Sequence, residues 1–367
     1  MQSSIFSKII KLILIVVTAL LVSSLLCAIV AGGVDPRETV WLQFFAMAIP
    51  FIYLALCFVL IIWILLWHRT MIFVSLGVLL ATSFSVGGFV QLEWGKKYPG
   101  EKKTAEELTL VSYNTHCMGN FDDSKERLSE ICNRLDSLDS DIICFQEFMV
   151  RDSSELAIVD ELFDKYAYRI YQKNPTESLS GYTGRIILSK YPLSRRRNYN
   201  SGDYGSGFTS CDMVHLGDTI RIFNCHLQTT GFNKINKEQS VMKFLEGDST
   251  KIQSQKTASI MAENFRERAA QADTLSQKIE SFKNGVLVIG DFNATPMSYT
   301  YETIKGDLSD AFRDAGDGYG STYREMGGFF RIDYVLYNSS LYECESYQSP
   351  DWTYSDHKPV IVTLKKI

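Results

Sequence analysis

The chain has 367 residues, of which 46% are hydrophobic and 22% charged, with a formal net charge of −5. This composition excludes a disordered tail, a collagen-like repeat and a small disulfide scaffold, and the length allows two or three domains. The average conceals a division. Residues 1–92 carry only Lys8, Lys11, Asp35, Arg37, Glu38 and Arg69, a net +2, which leaves −7 for the rest.

Three stretches at the start have no charged residue: Leu12–Val34, Thr39–Trp67 and Thr70–Leu92. About 20 helical residues, rising 1.5 Å each, cross a hydrocarbon core about 30 Å thick. Residues 1–92 are therefore predicted to be a membrane anchor of three transmembrane helices (about 12–34, 39–67 and 70–92). The protein would be integral to the cell membrane, with the lipid bilayer as its partner. Lys8 and Lys11 resemble the front of a signal peptide, but the stretch is long for one and two more follow it. Two charge counts oppose each other over orientation. Lys8, Lys11 and Arg69 on the inside would put the C-terminal part outside the cytoplasm, whereas Lys96, Lys97, Lys102 and Lys103 would hold it inside. The first helix usually dominates, so the expectation leans extracytoplasmic. The eight cysteines form no C-x-x-C pair and read as small buried hydrophobes, Cys144 and Cys225 above all.

Residues 93–107 read as a linker, and residues 108–367 suffice for one large domain. Here short apolar strands alternate with amphipathic helices, an α/β pattern. The clearest strands are Leu110–Tyr113, Ile142–Phe145, Ile186–Leu188, Ile220–Cys225, Val286–Ile289, Tyr334–Tyr337 and Val360–Leu364. Leu128, Ile131, Cys132, Leu135 and Leu138 recur at helical spacing behind the capping-box pattern Asp123-x-x-Glu126. Met261, Phe265, Ala269, Ala272, Leu275, Ile279 and Phe282 mark a longer helix that stops at Asn284-Gly285. The polar stretch 231–255 reads as an insertion loop or arm.

The chemistry lies where polar residues meet these strands. Successive apolar runs end on Asn114, Glu147, His226 and the pair Asp291 and Asn293, which alternation would put on one face. Asp333, Asp356 and His357 follow in two further short motifs. A single polar strand end is ordinary; a series of them is not. Carboxylates with amides and two imidazoles suit a hard divalent cation, Mg²⁺ or Mn²⁺, acting on a phosphate. Zinc fits less well, because there are five histidines and none shares H-x-x-x-H spacing; no G-x-S-x-G elbow supports a serine nucleophile.

Ser112-Tyr-Asn114, Gln146-Glu147, Asn224-Cys-His226, Gly290-Asp291-Phe-Asn293-Ala-Thr-Pro296, Arg331-Ile-Asp333-Tyr and Ser355-Asp356-His357-Lys-Pro359 stand in an informative order. That order resembles the signature of the endonuclease/exonuclease/phosphatase superfamily. The resemblance implies the DNase I-like fold, a four-layered α/β sandwich, here preceded by three transmembrane α-helices. It implies metal binding by Asn114, Glu147 and Asp356. It implies that Asp291 orients or deprotonates the attacking water, with Asn293 in support. His357 and His226 would touch the phosphate from two sides, and Asp333 would hold the ring of His357. His116 stands where some members carry Asp and reads as a solvated loop residue, while His68 and His215 read as structural.

The implied function is a membrane-anchored, metal-dependent phosphoesterase acting on a nucleic acid or a lipid-headgroup phosphodiester. A −7 domain lacks the basic surface of a tight nucleic-acid binder. Arg195-Arg-Arg197 reads as a solvated hairpin tip or a phosphate grip, and Tyr199, Tyr204 and Phe208 around 202–207 as a flexible aromatic rim. The alternatives are a catalytically silent scaffold on the same fold, and a transporter, which the absence of charge within the spans disfavours.

Overall fold

The structure, a computed structural model, describes residues 2–92, 104–117, 124–150, 153–173, 182–201, 205–231 and 249–367. Helix α1 (Gln2–Val30) runs into a short 3₁₀ turn. The segment Ile5–Gly33 is long and apolar enough to cross a membrane. The second stretch breaks. Helix α2 (Trp41–Met47) and helix α3 (Ile49–Leu65) are bent by 63° to each other. Pro50 in the first turn of α3 lacks the N–H that would bond back to Ala46, and its ring crowds that carbonyl.

The third stretch also departs from expectation. Helix α4 (Arg69–Ala81) has 13 residues, about 20 Å of helix, and a single turn α5 (Ser83–Val86) follows it. Gly88 then passes so close to Pro296 that a Cβ would lie 2.6 Å from its ring. Strand β1 (Val90–Gln91) pairs with β11 (Gly318–Tyr319). The prediction of three transmembrane helices is therefore corrected to one spanning candidate, a bent pair and a short helix. Hydropathy counts apolar residues alike whether they face lipid or protein, and residues 86–92 are apolar because they dock. Exposure separates the two parts: among the described residues, 27 of 33 exposed large apolar side chains belong to residues 5–92.

The remainder forms two packed six-stranded sheets. One has the order β13-β14-β2-β3-β5-β4: β2 is Glu107–Asn114, β3 Ile142–Val150, β4 Tyr168–Lys173, β5 Tyr182–Ser189, β13 Tyr342–Gln348 and β14 Val360–Lys366. The other has the order β10-β12-β9-β8-β7-β6: β6 is Leu193–Asn200, β7 Gly207–His215, β8 Asp218–His226, β9 Gly285–Asp291, β10 Ser309–Asp310 and β12 Asp333–Tyr337. Leu110, Ile142, Ile187, Ile222, Leu287 and Val362 fill the space between them.

Helices α6 (Ser124–Ser137) and α7 (Ser153–Leu162) cover the first sheet through Leu128, Ile131, Leu135 and Val159. Helices α8 (Ser249–Glu280) and α9 (Tyr299–Lys305) cover the second through Ala272, Leu275, Tyr301 and Ile304. These are the four layers of a DNase I-like sandwich. A short helix α10 (Ala311–Ala315) plugs one end of the inter-sheet core.

All seven predicted strands are present, and each runs longer than its apolar core. Strand β6 was not predicted because it is a solvated edge without alternation; Arg195 and Arg196 sit in a bulge within it and Arg197 pairs with Ser210, so the three are not at a tip. The expected aromatic rim is corrected as well: Phe208 is buried and stacks on Tyr199 at 4.6 Å, while Tyr204 lies outside the described residues. Helix α8 begins at Ser249, inside the predicted insertion; residues 232–248, most of the linker (93–103) and Asp123 lie outside the described residues. Cys132, Cys144, Cys211, Cys225 and Cys344 are buried and form no disulfide, as read from the sequence, whereas Cys27 and Cys117 are half-buried and Cys57 is exposed.

The two sheets are also latched by polar groups. Asn224 on β8 is fully buried; its Nδ2 donates to Phe145 O (3.0 Å) and Ile186 O (2.9 Å), and its Oδ1 accepts from Gln146 Nε2 at 2.8 Å. Every bond of that amide crosses from one sheet to the other.

Candidate active site

The parallel pairs β2–β3 and β8–β9 end at the same edge of the sandwich, and the predicted site residues meet there. Register explains part of this: Asp291 lies beside His226 on one side and beside Asp333 on the other. Gly290 makes the approach possible, since a Cβ there would meet Cys225 O at 2.1 Å. Glu147 sits where the β3–β5 register shifts, at φ 47°, so the bulge re-aims its carboxylate. Asn293 (φ 51°) and His116 (φ 46°) are also left-handed. Non-glycine residues held in that region mark places where function and strain coincide.

Asn114 is fully buried and central. Its Nδ2 donates to Glu147 Oε1 (3.2 Å) and Asp291 Oδ2 (3.0 Å), and its Oδ1 accepts from the His116 N–H at 3.0 Å. Asn293 reaches Asp291 through a turn rather than by strand alternation, because β9 ends at Asp291. Its N–H donates to Asp291 Oδ1 (2.7 Å) and its Nδ2 to Asp291 Oδ2 (3.2 Å). Ser355 fastens the segment that carries Asp356 and His357: its Oγ donates to Asn114 O (2.8 Å) and accepts from the His357 N–H (3.1 Å).

His357 Nδ1 lies 2.9 Å from Asp333 Oδ2, and its Nε2 lies 3.8 Å from Asp291 and 3.9 Å from Asp356. Burial opposes a charge on this ring, but Asp333 and Asp291 outweigh it and lift its pKa to about 10. Burial, and then the negative charge of Asp333, raise Asp291 to about 6. Burial also pushes Glu147 upward, yet His226, with Nε2 3.1 Å from Oε1, holds it down at about 2.

Glu147, Asp291, Asn293, Asp356 and His357 line one cavity of about 60 Å³. A cavity needs at least about 10–15 Å³ to hold one water, so this one has room for more than a single water. Asn114, His226 and Asp333 stand directly behind. All eight predicted residues are thus in one cluster, and His68 and His215 lie apart from it, His215 bonded to Tyr342 OH at 2.9 Å.

His116 requires correction. It lines the cavity with Nδ1 3.3 Å from Asp356 Oδ2 and 3.8 Å from Glu147 Oε2. Arg268 on α8 was missed. It is buried and lines the cavity; its Nη1 donates to Gln228 O (2.6 Å) and Thr230 Oγ1 (3.2 Å), and its Nε has no partner among the described residues. Burial lowers its pKa to about 10, against the pull of Asp291. The sequence carried a signal for it, an arginine three residues after Phe265 on the apolar face of the helix.

Two donor sets could hold a cation. Asp291, Asp333 and His357 offer ligand atoms within 4.8 Å of one another. The Asp333–His357 hydrogen bond already engages two of them, which leaves the carboxylates Glu147 and Asp356 as the oxygen donors lining the cavity, with Asn114 buried behind them. Three carboxylates lining so small a space, with Asp333 Oδ1 buried behind them and without a partner among the described residues, fit a divalent cation in charge and in hardness.

The geometry agrees with independent likenesses. A family model described as the Endonuclease/Exonuclease/phosphatase family matches residues 111–357, and one described as a domain of unknown function (DUF8431) matches residues 10–89. No curated protein matches the chain. A solved endonuclease/exonuclease/phosphatase from Beutenbergia cavernae is similar at 15% identity and TM-score 0.51, covering 71% of this chain and 72% of its own. One from Bacteroides vulgatus is similar at 16% identity and TM-score 0.51, covering 72% and 100%. The human Nocturnin catalytic domain with bound sulfate is similar at 16% identity and TM-score 0.50, covering 71% and 94%. At these identities the structures share a fold with this chain and no more. The match across most of the sandwich, with its motifs gathered at one edge, makes the chain a member of the endonuclease/exonuclease/phosphatase family.

Proposed function

We propose that the protein is a membrane-anchored, divalent-metal-dependent phosphoesterase, with residues 108–367 as its catalytic domain. The observation that carries this reading is the gathering of eight motif residues around one carboxylate-rich cavity. It also speaks against a silent scaffold. Glu147, Asn114 and Asp356 would hold Mg²⁺ or Mn²⁺, which when bound would neutralise the phosphoester and sharpen the electrophilicity of phosphorus.

The protein's own residues supply the rest. Asp291, raised toward neutral pH, accepts a proton from the attacking water, and Asn293 fixes the orientation of that carboxylate. His357, kept cationic and held at Nδ1 by Asp333, points Nε2 at the phosphoryl oxygens, with His226 opposite. Arg268 adds a buried positive charge. Arg268→Met is expected to lower kcat/KM by about 10–100-fold, and Arg268→Lys to recover part of that loss, since a charged hydrogen bond contributes about 1.5–3 kcal/mol.

Anchoring rests on α1, with α3 and α4 packed beside it in the same apolar layer. A signal peptide would be cut away, whereas Ala28 and Ala31 at the end of α1 are fully buried and Gly32 packs against Glu302 of α9. The test is hydrolysis of bis(p-nitrophenyl) phosphate by the full chain in detergent. Nitrophenolate release is expected with Mg²⁺ or Mn²⁺, and a fall of at least about 100-fold in EDTA, reversed by added metal. Absence of release with either ion sinks the proposal.

A further inference from the structure

The cavity has a second wall that the phosphoester chemistry does not use. Met47, Phe265, Phe330 and Ile332 line the cavity together with Glu147, Asp291 and His357, and Met47 comes from α2, outside the sandwich. Met47 packs between Phe265 on one side and Phe330 and Ile332 on the other. The N-terminal segment thus forms part of the cavity itself.

Beyond this wall lies a separate cleft of about 330 Å³ between α3 and the loop before β12. Its lining includes Ile49, Leu54, Phe89, Tyr319 and Phe329. The two spaces share a partition. Met47 and Phe330 line the cavity, while Ile49, two residues after Met47, and Phe329, the neighbour of Phe330, line the cleft. Phe51 bridges the partition, with ring centroids 4.9 Å from Phe329 and 6.2 Å from Phe330. Phe51 is itself 43% exposed, and Leu54 (58%) and Phe58 (65%) continue the exposed apolar face of α3. No charged residue interrupts residues 39–67. A small polar cavity, an apolar partition, an apolar cleft and an exposed apolar helix face therefore follow one another in order.

We infer that the substrate is an amphiphilic phosphoester. Its phosphoryl group occupies the polar cavity, and its hydrocarbon chain runs past Met47 and Phe330 into the cleft beside α3. This rests on the phosphoesterase reading and names its substrate class. An apolar chain gains about 0.8 kcal/mol per methylene buried, so a cleft of this kind rewards chain length where a nucleic-acid groove would not. In the reaction, water oxygen bonds to phosphorus, the P–O bond to the leaving group breaks with its electron pair, and the water proton passes to Asp291.

The test uses the full chain in phosphatidylcholine nanodiscs with Mg²⁺ or Mn²⁺ and three probes: methyl, butyl and decyl p-nitrophenyl phosphodiesters. The kcat/KM should rise at least about tenfold from methyl to decyl. Met47→Glu puts a charge on the partition, and Leu54→Trp fills the cleft from an exposed position. Each should draw the decyl-to-methyl ratio toward one. A flat series in the parent protein overturns the inference and leaves the phosphoesterase reading standing. No nitrophenolate from any probe overturns both. Variants that keep the parental ratio, or that lose methyl and decyl turnover equally, overturn the chain path. So does a single-stranded DNA or RNA 12-mer cleaved with a higher kcat/KM than the decyl ester.

Discussion

Asp291→Asn is expected to lower kcat on a phosphodiester by about three orders of magnitude while leaving stability within about 1 kcal/mol of the parent protein. The loss follows from chemistry. An amide has the shape of the carboxylate but cannot take the water proton, and general-base catalysis is typically worth about 10²–10⁴-fold. The near-constant stability follows from two opposed effects. Asp291 is buried beside Asp333, so neutralising it relieves a like-charge repulsion. Its oxygens, however, accept from Asn114 Nδ2 and twice from Asn293, and an amide NH₂ facing those donors forfeits part of that bonding. Saturation kinetics and a thermal melt on the same preparation decide it. Activity within tenfold of the parent removes Asp291 from the role of base, and a melting point lower by many degrees would make the loss structural.

The largest effect on stability is expected at Arg331. Its side chain is 1% exposed, and its Nη1 and Nη2 donate to the two oxygens of Asp310 at 3.0 and 2.6 Å. Its Nε donates to Gly88 O at 2.7 Å, and its guanidinium lies over Tyr334 (4.6 Å) and Phe312 (4.7 Å). Arg331→Met leaves Asp310 buried without a counter-charge and should cost about 3–5 kcal/mol. Arg331→Met with Asp310→Leu should recover only part of this, because it removes the unpaired charge but leaves the Tyr301 O–H and Phe312 N–H without the acceptor that Asp310 gives them.

The pair also sets a pH dependence. Burial pushes the Asp310 carboxyl up, but the charge and hydrogen bonds of Arg331 win and hold it below its ordinary value of 3.8. A depressed carboxylate stabilises the fold above the unfolded pKa and loses that contribution as pH falls through the folded one. Parent and Arg331→Met melting temperatures should therefore differ most near neutral pH, and the gap should close below about pH 4. A gap that widens in acid would reject this assignment.

Much of the sandwich and the site was legible in the sequence because both depend on local pattern. Ile142–Phe145 and Val286–Ile289 are apolar because they are buried on both faces; the second strand ends at Asp291, and the first is interrupted at Glu147 by a bulge before it resumes at Phe148. What escaped depended on tertiary partners. The bend at Met47 required knowing that α2 lies over the cavity, and the helix lost after Ala81 required knowing that Gly88 docks on Pro296. Arg268 was hidden on the buried face of a helix read for its apolar residues, and His116 because a turn at φ 46° brings it back toward Asp356. Arg195–Arg197 looked like a tip because an exposed edge strand has no apolar rhythm.

The pairing of β1 with β11, and of Gly88 with Arg331, bears on how modular the protein is. Residues 1–92 look detachable by composition, yet cutting them away would unroof Phe265, Phe330 and Met297 and strip Arg331 of one of its acceptors. A fragment starting at residue 104 should carry a sticky face where α2 had lain and aggregate on concentration. Exchanging residues 1–92 for a foreign helix should fail for the same reason, since the seam between the two halves runs through the cavity that Met47 and Glu147 both line.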